Sequence, residues 1–323
     1  MNDVEKMGMS LIVPFLNEEE GIVRFCEELD SYVASLDFAV EIVFVNDGST
    51  DGTVEKILNY SFANIELARI INLSKNFGSH AAIRAGLTKA SFEICTWLGS
   101  DLQEPLEIIP LSYEKIVKEG YDAVYIEKKS VGVSSTNRLF SKFYSGMMRK
   151  YAVKNYSSGG TSTIVFNSKI KEYLNSNIES NSSIMLQILD AGFKSYTVSV
   201  DYGERFAGKS KWTLSKKIKL FIDSFVSFSF MPIRMVSIVG VFLFLVGMII
   251  GIITIVNRFV NPLAPMGYTS LTSILSLGFG ITNVSLGIIA EYLWRTFDAA
   301  RNRPVYIISD EITVGGKDEK SNQ

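Results

Sequence analysis

The chain has 323 residues, with 32 Lys and Arg against 34 Asp and Glu and a formal net charge of −2 at pH 7. This balance excludes a general nucleic-acid binder, which carries a strongly basic surface, and the 47% of hydrophobic residues excludes a disordered chain. The mean hydropathy of +0.20 is unusual for a plain soluble enzyme, and the apolar residues are not spread evenly along the chain.

The first two thirds of the chain alternate short β-rich runs with helical patterns. Such alternation predicts an α/β fold in which helices cover both faces of a mostly parallel sheet. Ligands of these sheets bind at the carboxyl ends of the strands. The predicted strands are 10–14, 41–46, 69–73, 94–98 and 123–126, and the predicted helices are 18–36, 51–60, 78–90, 107–119 and 135–152.

Polar clusters follow the first four predicted strands. Any single cluster has a structural explanation, since acids complement a helix N-terminus and Asp51 is typical of a helix cap. Four clusters at one sheet edge favour a binding site. No G-x-G-x-x-G or P-loop follows the first strand, so carboxylates would hold a ribose or a hard divalent cation there. The clusters are LNEEE at 16–20, NDGSTDG at 46–52, SKNFGSH at 74–80 and GSDLQEP at 99–105. His80, at the end of the third cluster, is a candidate for helix capping or for a position beside the nucleotide.

An amphipathic pattern occupies residues 213–232. Apolar side chains recur there at spacings of four and three, and lysines lie on the opposite face. This pattern predicts a helix that lies in a lipid headgroup layer, and an ordinary helix that packs on the domain core is the alternative. The apolar residues are Leu214, Ile218, Phe221, Phe225 and Phe228, and the lysines are Lys216, Lys217 and Lys219.

Two long uncharged runs follow this pattern. Residues 236–256 and 268–290 contain 21 and 23 residues without a charge, and a helix of that length spans a bilayer core of about 30 Å. Pro262 and Pro265 predict a turn between them. We therefore expect a two-helix transmembrane hairpin at 233–294, with a buried helical pair in a soluble protein as the alternative. Small residues within the second run would allow close packing of helices between copies of the chain, so a homo-oligomer is an open alternative.

Cations flank the predicted hairpin on both sides, while its short loop carries only Arg258. By the positive-inside rule, both ends of the hairpin face the cytoplasm. The first ten residues contain no apolar run, so we expect no signal peptide. The expected protein is integral to the plasma or inner membrane, with both termini cytoplasmic. Its expected parts are a cytoplasmic domain at 1–212, the interfacial region at 213–232, the hairpin at 233–294 and a cytoplasmic tail at 295–323.

Six stretches carry a resemblance to a known family. They are LIVPFLNEEE, VFVNDGSTDGT, LSKNFGSHAAIRAGL, SDLQEP, ERFAGKSKW and EYLWRTFDAARNRPVYII, and they run from about residue 10 to residue 308. At these residues the chain resembles the family-2 inverting glycosyltransferases, which have the nucleotide-sugar-binding (GT-A) fold. More narrowly it resembles the polyprenyl-phosphate glycosyltransferases, the group of dolichyl-phosphate mannose synthase, bactoprenol glucosyltransferase and undecaprenyl-phosphate aminoarabinose transferase.

The resemblance implies a reaction and the residues for it. A nucleotide-diphosphate sugar would give its glycosyl group, with inversion, to a membrane polyprenyl phosphate on the cytoplasmic face. The acceptor is already anionic, so positioning and charge neutralisation would provide most of the rate acceleration. By resemblance, the nucleoside is held by Pro14, Asn17, Glu18 and Asp47, the diphosphate and a divalent metal (Mg²⁺ or Mn²⁺) by Asp101 and Gln103, and the acceptor or leaving-group phosphate by Arg138, Arg205 and Lys211.

Two positions depart from the family pattern. The metal motif is usually D-x-D-x-Q, whereas Gly99 stands where the first Asp is expected. Glu104 is a candidate to compensate, although we expect its side chain to point differently in the loop. Gly160 lies where relatives carry an acid near the acceptor. These departures indicate an unusual donor sugar or a weakened enzyme.

Two other functions fit parts of the sequence. A catalytically inactive membrane scaffold that binds a partner or lipid would explain the missing acid at Gly99. A processive polysaccharide synthase would need more membrane spans and a Q-x-x-R-W motif, and the sequence contains neither. Retention of Asp47, Asp101, Gln103, Arg205 and Lys211 favours an active glycosyltransferase over the scaffold.

Overall fold

The structure is a computed structural model. It describes residues 8–128, 146–150, 161–179, 183–203, 268–301 and 303–315, together with separate helical residues between 235 and 260. The chain divides into two compact units. The first comprises Met1–Phe221 and Pro304–Gln323, and the second comprises Ile222–Arg303.

A mixed sheet of eight strands organises the first unit. The strands are β1 (Gly8–Phe15), β2 (Ala39–Asn46), β3 (Leu67–Leu73), β4 (Ile94–Trp97), β5 (Ala123–Lys128), β6 (Thr161–Phe166), β7 (Ser195–Val200) and β8 (Ile308–Gly315). Their order is β7-β5-β6-β4-β1-β2-β3-β8. β1 pairs in parallel with β2 and β4, β2 with β3, and β5 with β7. β8 pairs antiparallel with β3, and β6 pairs antiparallel with β4 and β5.

The five predicted strands are confirmed as β1 to β5, with ends that differ by at most two residues. The central block β4-β1-β2-β3 is parallel, as predicted. The prediction was incomplete at β6, β7 and β8. β6 runs antiparallel to β4 and β5, and β8 runs antiparallel to β3.

Helices cover both faces of the sheet, as predicted. Side chains alternate along β1: Leu11 and Val13 share a buried core with Phe25 and Leu29 of the first helix, whereas Ile12 meets Gly86 of the third helix. The helices of this unit are α1 (Ile22–Val33), α2 (Thr53–Leu58), α3 (Ser79–Lys89), α4 (Ile108–Val117), α5 (Ser168–Ser176) and α6 (Ile184–Asp190). The helix predicted at 135–152 is described only at 146–150, which is helical.

The second unit contains α7 (Tyr268–Ala300), a helix of 33 residues that includes the second predicted span. Of the helices that the described ranges contain, none combines the length and apolar character needed to cross a membrane. The amphipathic segment 213–232 and much of the first predicted span lie outside the described residues. The hairpin, the interfacial helix and the predicted domain bounds therefore stay predictions.

Candidate functional site

The predicted site lies at one edge of the sheet, where three parallel strands end. The register places Phe15 of β1 opposite Asn46 of β2, and Ile12 of β1 opposite Trp97 of β4. The loops after β1, β2 and β4 therefore leave the sheet side by side. β6 runs antiparallel to β4, so its first residues lie at the same edge. β3 also ends at this edge, with Asn72 opposite Asn46. The four predicted clusters and the start of β6 therefore meet there.

The loops after β1 and β2 are joined through Asn17. Its backbone has a φ of +51°, a left-handed conformation that asparagine tolerates better than most residues. The Asn17 N–H donates to Oγ of Ser49 (3.0 Å), and its Oδ1 accepts the Thr50 N–H (2.8 Å). The side chain predicted to hold a nucleoside thus also fixes the loop opposite. Pro14 lies in β1, one residue before its end.

Acidic residues in these two loops have structural partners. The Glu18 N–H donates to Oγ1 of Thr53 (2.9 Å), and Oε2 of Glu19 accepts the Gly52 N–H (3.2 Å). Asp51 accepts the N–H and the hydroxyl of Thr53 and the N–H of Glu19. Burial raises the pKa of Asp51, but these hydrogen bonds outweigh it and hold the pKa below its usual value. Asp51 therefore links the start of α2 to Glu19, while the N-cap of α2 is Gly52, without a capping side chain.

Asp47 ties a third loop to the site. Its carboxylate is buried, with 5% of the residue exposed. Oδ1 accepts the Phe77 N–H (2.7 Å), and both oxygens accept the Gly78 N–H (3.2 and 3.0 Å). Burial raises the pKa of Asp47 despite these bonds. The residue predicted to hold the nucleoside therefore also fixes the turn that begins α3.

His80 does not cap α3. The helix has Gly78 at its N-cap and no capping side chain, and among the described residues the buried Nδ1 of His80 has no hydrogen-bond partner. Burial, with the neighbouring Arg84, lowers the pKa of His80, so the imidazole is neutral at pH 7. A nucleotide-adjacent role stays open.

The loop after β4 brings two carboxylates together. A Cβ atom placed on Gly99 would lie 2.8 Å from Oδ1 of Asp101 and 3.4 Å from Oε2 of Glu104. Oε1 of Glu104 accepts the hydroxyl proton of Thr163 in β6 (3.1 Å). Burial and the charge of Asp101 raise the pKa of Glu104. The expectation that Glu104 points away from this position was therefore wrong, because the loop turns back on itself.

Gln103 contributes its backbone to the same loop. Its carbonyl oxygen accepts the N–H of Gly203, which follows β7 (2.9 Å). This bond anchors the loop to another strand of the sheet. No motif predicts Gly203 or Thr163 as part of the site. Gly203 is a small residue after β7, and Thr163 is a polar residue within β6.

The carboxylates of Asp101 and Glu104 fit a hard divalent cation. Within the described ranges, no three His, Cys, Asp or Glu side chains are grouped as a metal site. Mg²⁺ is commonly bound through one or two carboxylates, while substrate phosphates and water complete its coordination. Two adjacent carboxylates are therefore a sufficient protein contribution. A metal role for the Gln103 side chain stays a prediction.

The nine predicted site residues divide into two groups. Six of them lie at the same sheet edge, with Pro14 near the end of β1 and the others on loops, namely Asn17, Glu18, Asp47, Asp101 and Gln103. Arg138, Arg205 and Lys211 fall outside the described residues. The structure thus assembles the residues predicted for the donor, and the roles of all nine remain predictions.

Comparisons with known proteins identify similar chains. The model of the family described as "Glycosyl transferase family 2" matches residues 10–183. The bactoprenol glucosyl transferase of Shigella phage SfV is 30% identical over 94% of this chain and 99% of its own length. The undecaprenyl-phosphate 4-deoxy-4-formamido-L-arabinose transferase of Proteus mirabilis is 29% identical over 100% of this chain and 99% of its own.

One solved structure illustrates the more distant similarity. Glucosyl-3-phosphoglycerate synthase from Mycobacterium tuberculosis, in complex with Mn²⁺, UDP-glucose and phosphoglyceric acid, is 17% identical. The match covers 67% of this chain and 76% of that chain, with a TM-score of 0.44.

Proposed function

The chain belongs to glycosyl transferase family 2 and is a glycosyltransferase, and from this premise we propose that it transfers a sugar from a nucleotide-diphosphate donor to a membrane polyprenyl phosphate. Membership confirms the family predicted from the sequence and, with the mixed sheet, an α/β fold of the GT-A type. The assignment of a polyprenyl phosphate as the acceptor rests on near full-length similarity to two transferases named for bactoprenol and undecaprenyl phosphate.

The donor site consists of the loops at the carboxyl edge of the sheet. The loops at 14–18 and 46–52 are fixed to each other by Asn17 and Glu19, so they offer the nucleoside a rigid surface. The diphosphate would lie beside Asp101 and Glu104. A divalent cation bound there would neutralise the charge that develops on the leaving diphosphate. Rigid placement is useful because this reaction depends on orientation more than on proton transfer.

The reaction needs no general base, because the attacking phosphate oxygen is already anionic. An oxygen of the acceptor phosphate forms a bond to the anomeric carbon, and the bond from that carbon to the donor's diphosphate breaks. The electron pair of the broken bond leaves with the nucleoside diphosphate, and in-line attack inverts the anomeric configuration. Arg138, Arg205 and Lys211 are proposed to hold the acceptor or leaving-group phosphate, since cationic side chains match phosphate oxygens.

The proposed acceptor is a membrane lipid, so the reaction would take place at a membrane. The exposed apolar side chains of the second unit support this location. Large apolar side chains of its described helical residues are more than half exposed, as expected of a surface that contacts lipid or protein rather than water. They include Phe242, Phe279, Leu293 and Trp294. We propose that this unit anchors the protein as the predicted hairpin, with the catalytic unit on the cytoplasmic face.

Product analysis tests the proposed function. The purified full chain is incubated with Mg²⁺ or Mn²⁺, a short-chain polyprenyl phosphate and a panel of nucleotide sugars, and the lipid is examined by mass spectrometry. We expect one donor to add a single glycosyl mass, with inverted configuration by NMR. The matching polyprenol without phosphate is the acceptor control and should gain no sugar. Absence of product with every donor would reject the proposal.

A further inference from the structure

The space beside Gly99 is occupied by two carboxylates. A Cβ at this position would be 2.8 Å from Oδ1 of Asp101, closer than ordinary contact, and 3.4 Å from Oε2 of Glu104. Gly99 is not among the glycines with positive φ, so its backbone conformation does not require glycine. The missing side chain therefore leaves room for Glu104 to approach Asp101.

Glu104 is held in this position by hydrogen bonds to its carboxylate, which accepts the backbone N–H groups of Gly99 and of Glu104 itself. Oε1 accepts the hydroxyl proton of Thr163 at 3.1 Å, and Thr163 is fully buried in β6. The other oxygen, Oε2, is the one that faces the space beside Gly99. The carboxylate is thus fixed by several hydrogen bonds, with Oε2 on the side of Asp101, which is the arrangement of a ligand oriented by its hydrogen bonds.

The backbone between the two acids turns sharply. Leu102 has a φ of +51°, a conformation that costs a branched residue about 1 kcal/mol or more. The carbonyl of Gln103 is bonded to Gly203, which holds the turn. Strain of this kind persists where the surroundings impose it, and it is concentrated at ligand sites. Here it brings Glu104 back toward Asp101.

Two adjacent carboxylates repel each other unless a cation or a proton relieves the repulsion. We propose that Glu104 supplies the second carboxylate of the divalent-cation site, in place of an acid at position 99, with Oε2 directed to the metal and Oε1 held by Thr163. The inference rests on the proposed function, which supplies the diphosphate that completes the coordination. It assigns the carboxylate pair to positions 101 and 104.

Mn²⁺ binding tests the assignment without donor or acceptor. The full chain is titrated with Mn²⁺ alone, and free Mn²⁺ is followed by electron paramagnetic resonance. We expect Glu104→Gln to weaken Mn²⁺ binding about tenfold or more, while the amide oxygen still accepts the Thr163 hydroxyl. The matched control is Glu107→Gln, which removes an exposed carboxylate three residues away and should bind Mn²⁺ as the wild type does.

Two further variants separate ligation from folding. Gly99→Asp added to Glu104→Gln should restore Mn²⁺ binding, because the acid at 99 enters the space that Glu104 occupies and Asp101 can shift its side-chain end. Thr163→Val should weaken binding less than Glu104→Gln, with little change in the thermal unfolding of the metal-free protein. Weaker Mn²⁺ binding without a loss of thermal stability would show that Thr163 positions Glu104 rather than stabilising the fold.

The outcomes distinguish this inference from the proposed function. If Glu104→Gln binds Mn²⁺ as tightly as the wild type while sugar transfer proceeds, the assignment of Glu104 is wrong and the function stands. The opposite outcome is that no nucleotide sugar serves as a donor, while Glu104→Gln abolishes Mn²⁺ binding and Gly99→Asp restores it. In that case the assignment of Glu104 to the metal site is supported and the proposed function is wrong.

Discussion

The carboxylate of Asp47 accepts the backbone N–H of Gly78 with both of its oxygens, at 3.2 and 3.0 Å, across 31 positions of the chain. The same carboxylate accepts the Phe77 N–H. One buried side chain therefore joins the end of β2 to the turn that starts α3. This bond set constrains two of the loops that form the proposed donor site.

Asp47→Asn should destabilise the first unit by about 1–3 kcal/mol, because its amide nitrogen would face a backbone N–H and leave buried donors unsatisfied. Denaturant unfolding measures the change. Asp37→Asn, which alters an exposed carboxylate, is the control and should unfold as the wild type does. Equal stability of Asp47→Asn and wild type would contradict the role assigned to this carboxylate.

The centre of the sheet could be predicted because its strands carry local signals. β2 contains the uninterrupted apolar run IVFV at 42–45, and Asn46 and Asp47 follow it directly. Parallel strands bring such ends to one edge whatever the details of the loops. The common location of the predicted donor residues could therefore be predicted without knowing their individual contacts.

The edges of the sheet and the direction of Glu104 depend on distant partners. β8 is mostly exposed or partly exposed, and its pairing with β3 crosses more than 200 positions of sequence. Glu104 turns toward Asp101 because Leu102 adopts a positive φ and because Thr163, 59 positions away, holds its carboxylate. No spacing rule encodes contacts of that range, so the sequence could name Glu104 only as a candidate.

Asp101 is expected to be required for sugar transfer. Asp101→Asn removes a charged ligand from the carboxylate pair, so charge on the leaving diphosphate is less well neutralised. We expect turnover to fall about 10²-fold or more, the size typical of losing one electrostatic contact in a transition state. The glycosylated lipid formed per minute measures this at saturating Mn²⁺. Glu107→Gln serves again as the exposed control, and normal turnover in Asp101→Asn would remove Asp101 from the site.

Gly86 allows α3 to pack closely on the sheet. A Cβ added there would collide with Ile12 of β1 and lie 3.1 Å from Cγ2 of Val45 in β2. Gly86→Ala should therefore destabilise the protein by about 1–3 kcal/mol through overpacking, despite a gain of about 1 kcal/mol in helix propensity.

Guanidinium chloride unfolding compares Gly86→Ala with Gly146→Ala. Gly146 is helical, and a Cβ there meets nothing within 4 Å. The control should be neutral or stabilising. If both variants gained stability, close approach of α3 to β1 would not limit this position.

Glu311 should make the attachment of β8 dependent on pH. Its Oε2 accepts a hydrogen bond from Nζ of Lys89 (2.7 Å), and its Oε1 accepts one from Nη1 of Arg69 (3.0 Å). The hydrogen bond from Lys89 is the largest influence, and together with Arg69 it lowers the pKa of Glu311 below its ordinary 4.5. The stabilisation is therefore present above about pH 4.5 and is lost as the pH falls through the lowered pKa.

Hydrogen exchange of the β8 amides, corrected for the intrinsic rate at each pH, tests this dependence. The wild type should lose protection at 308–315 as the pH falls below 4.5. Glu311→Gln should already be less protected at pH 6, by about 1 kcal/mol or less for these partly exposed pairs, and should change little with pH. Glu93→Gln, at an exposed carboxylate, should behave as the wild type does. An identical pH profile in Glu311→Gln and wild type would mean that backbone pairing alone holds β8 on β3.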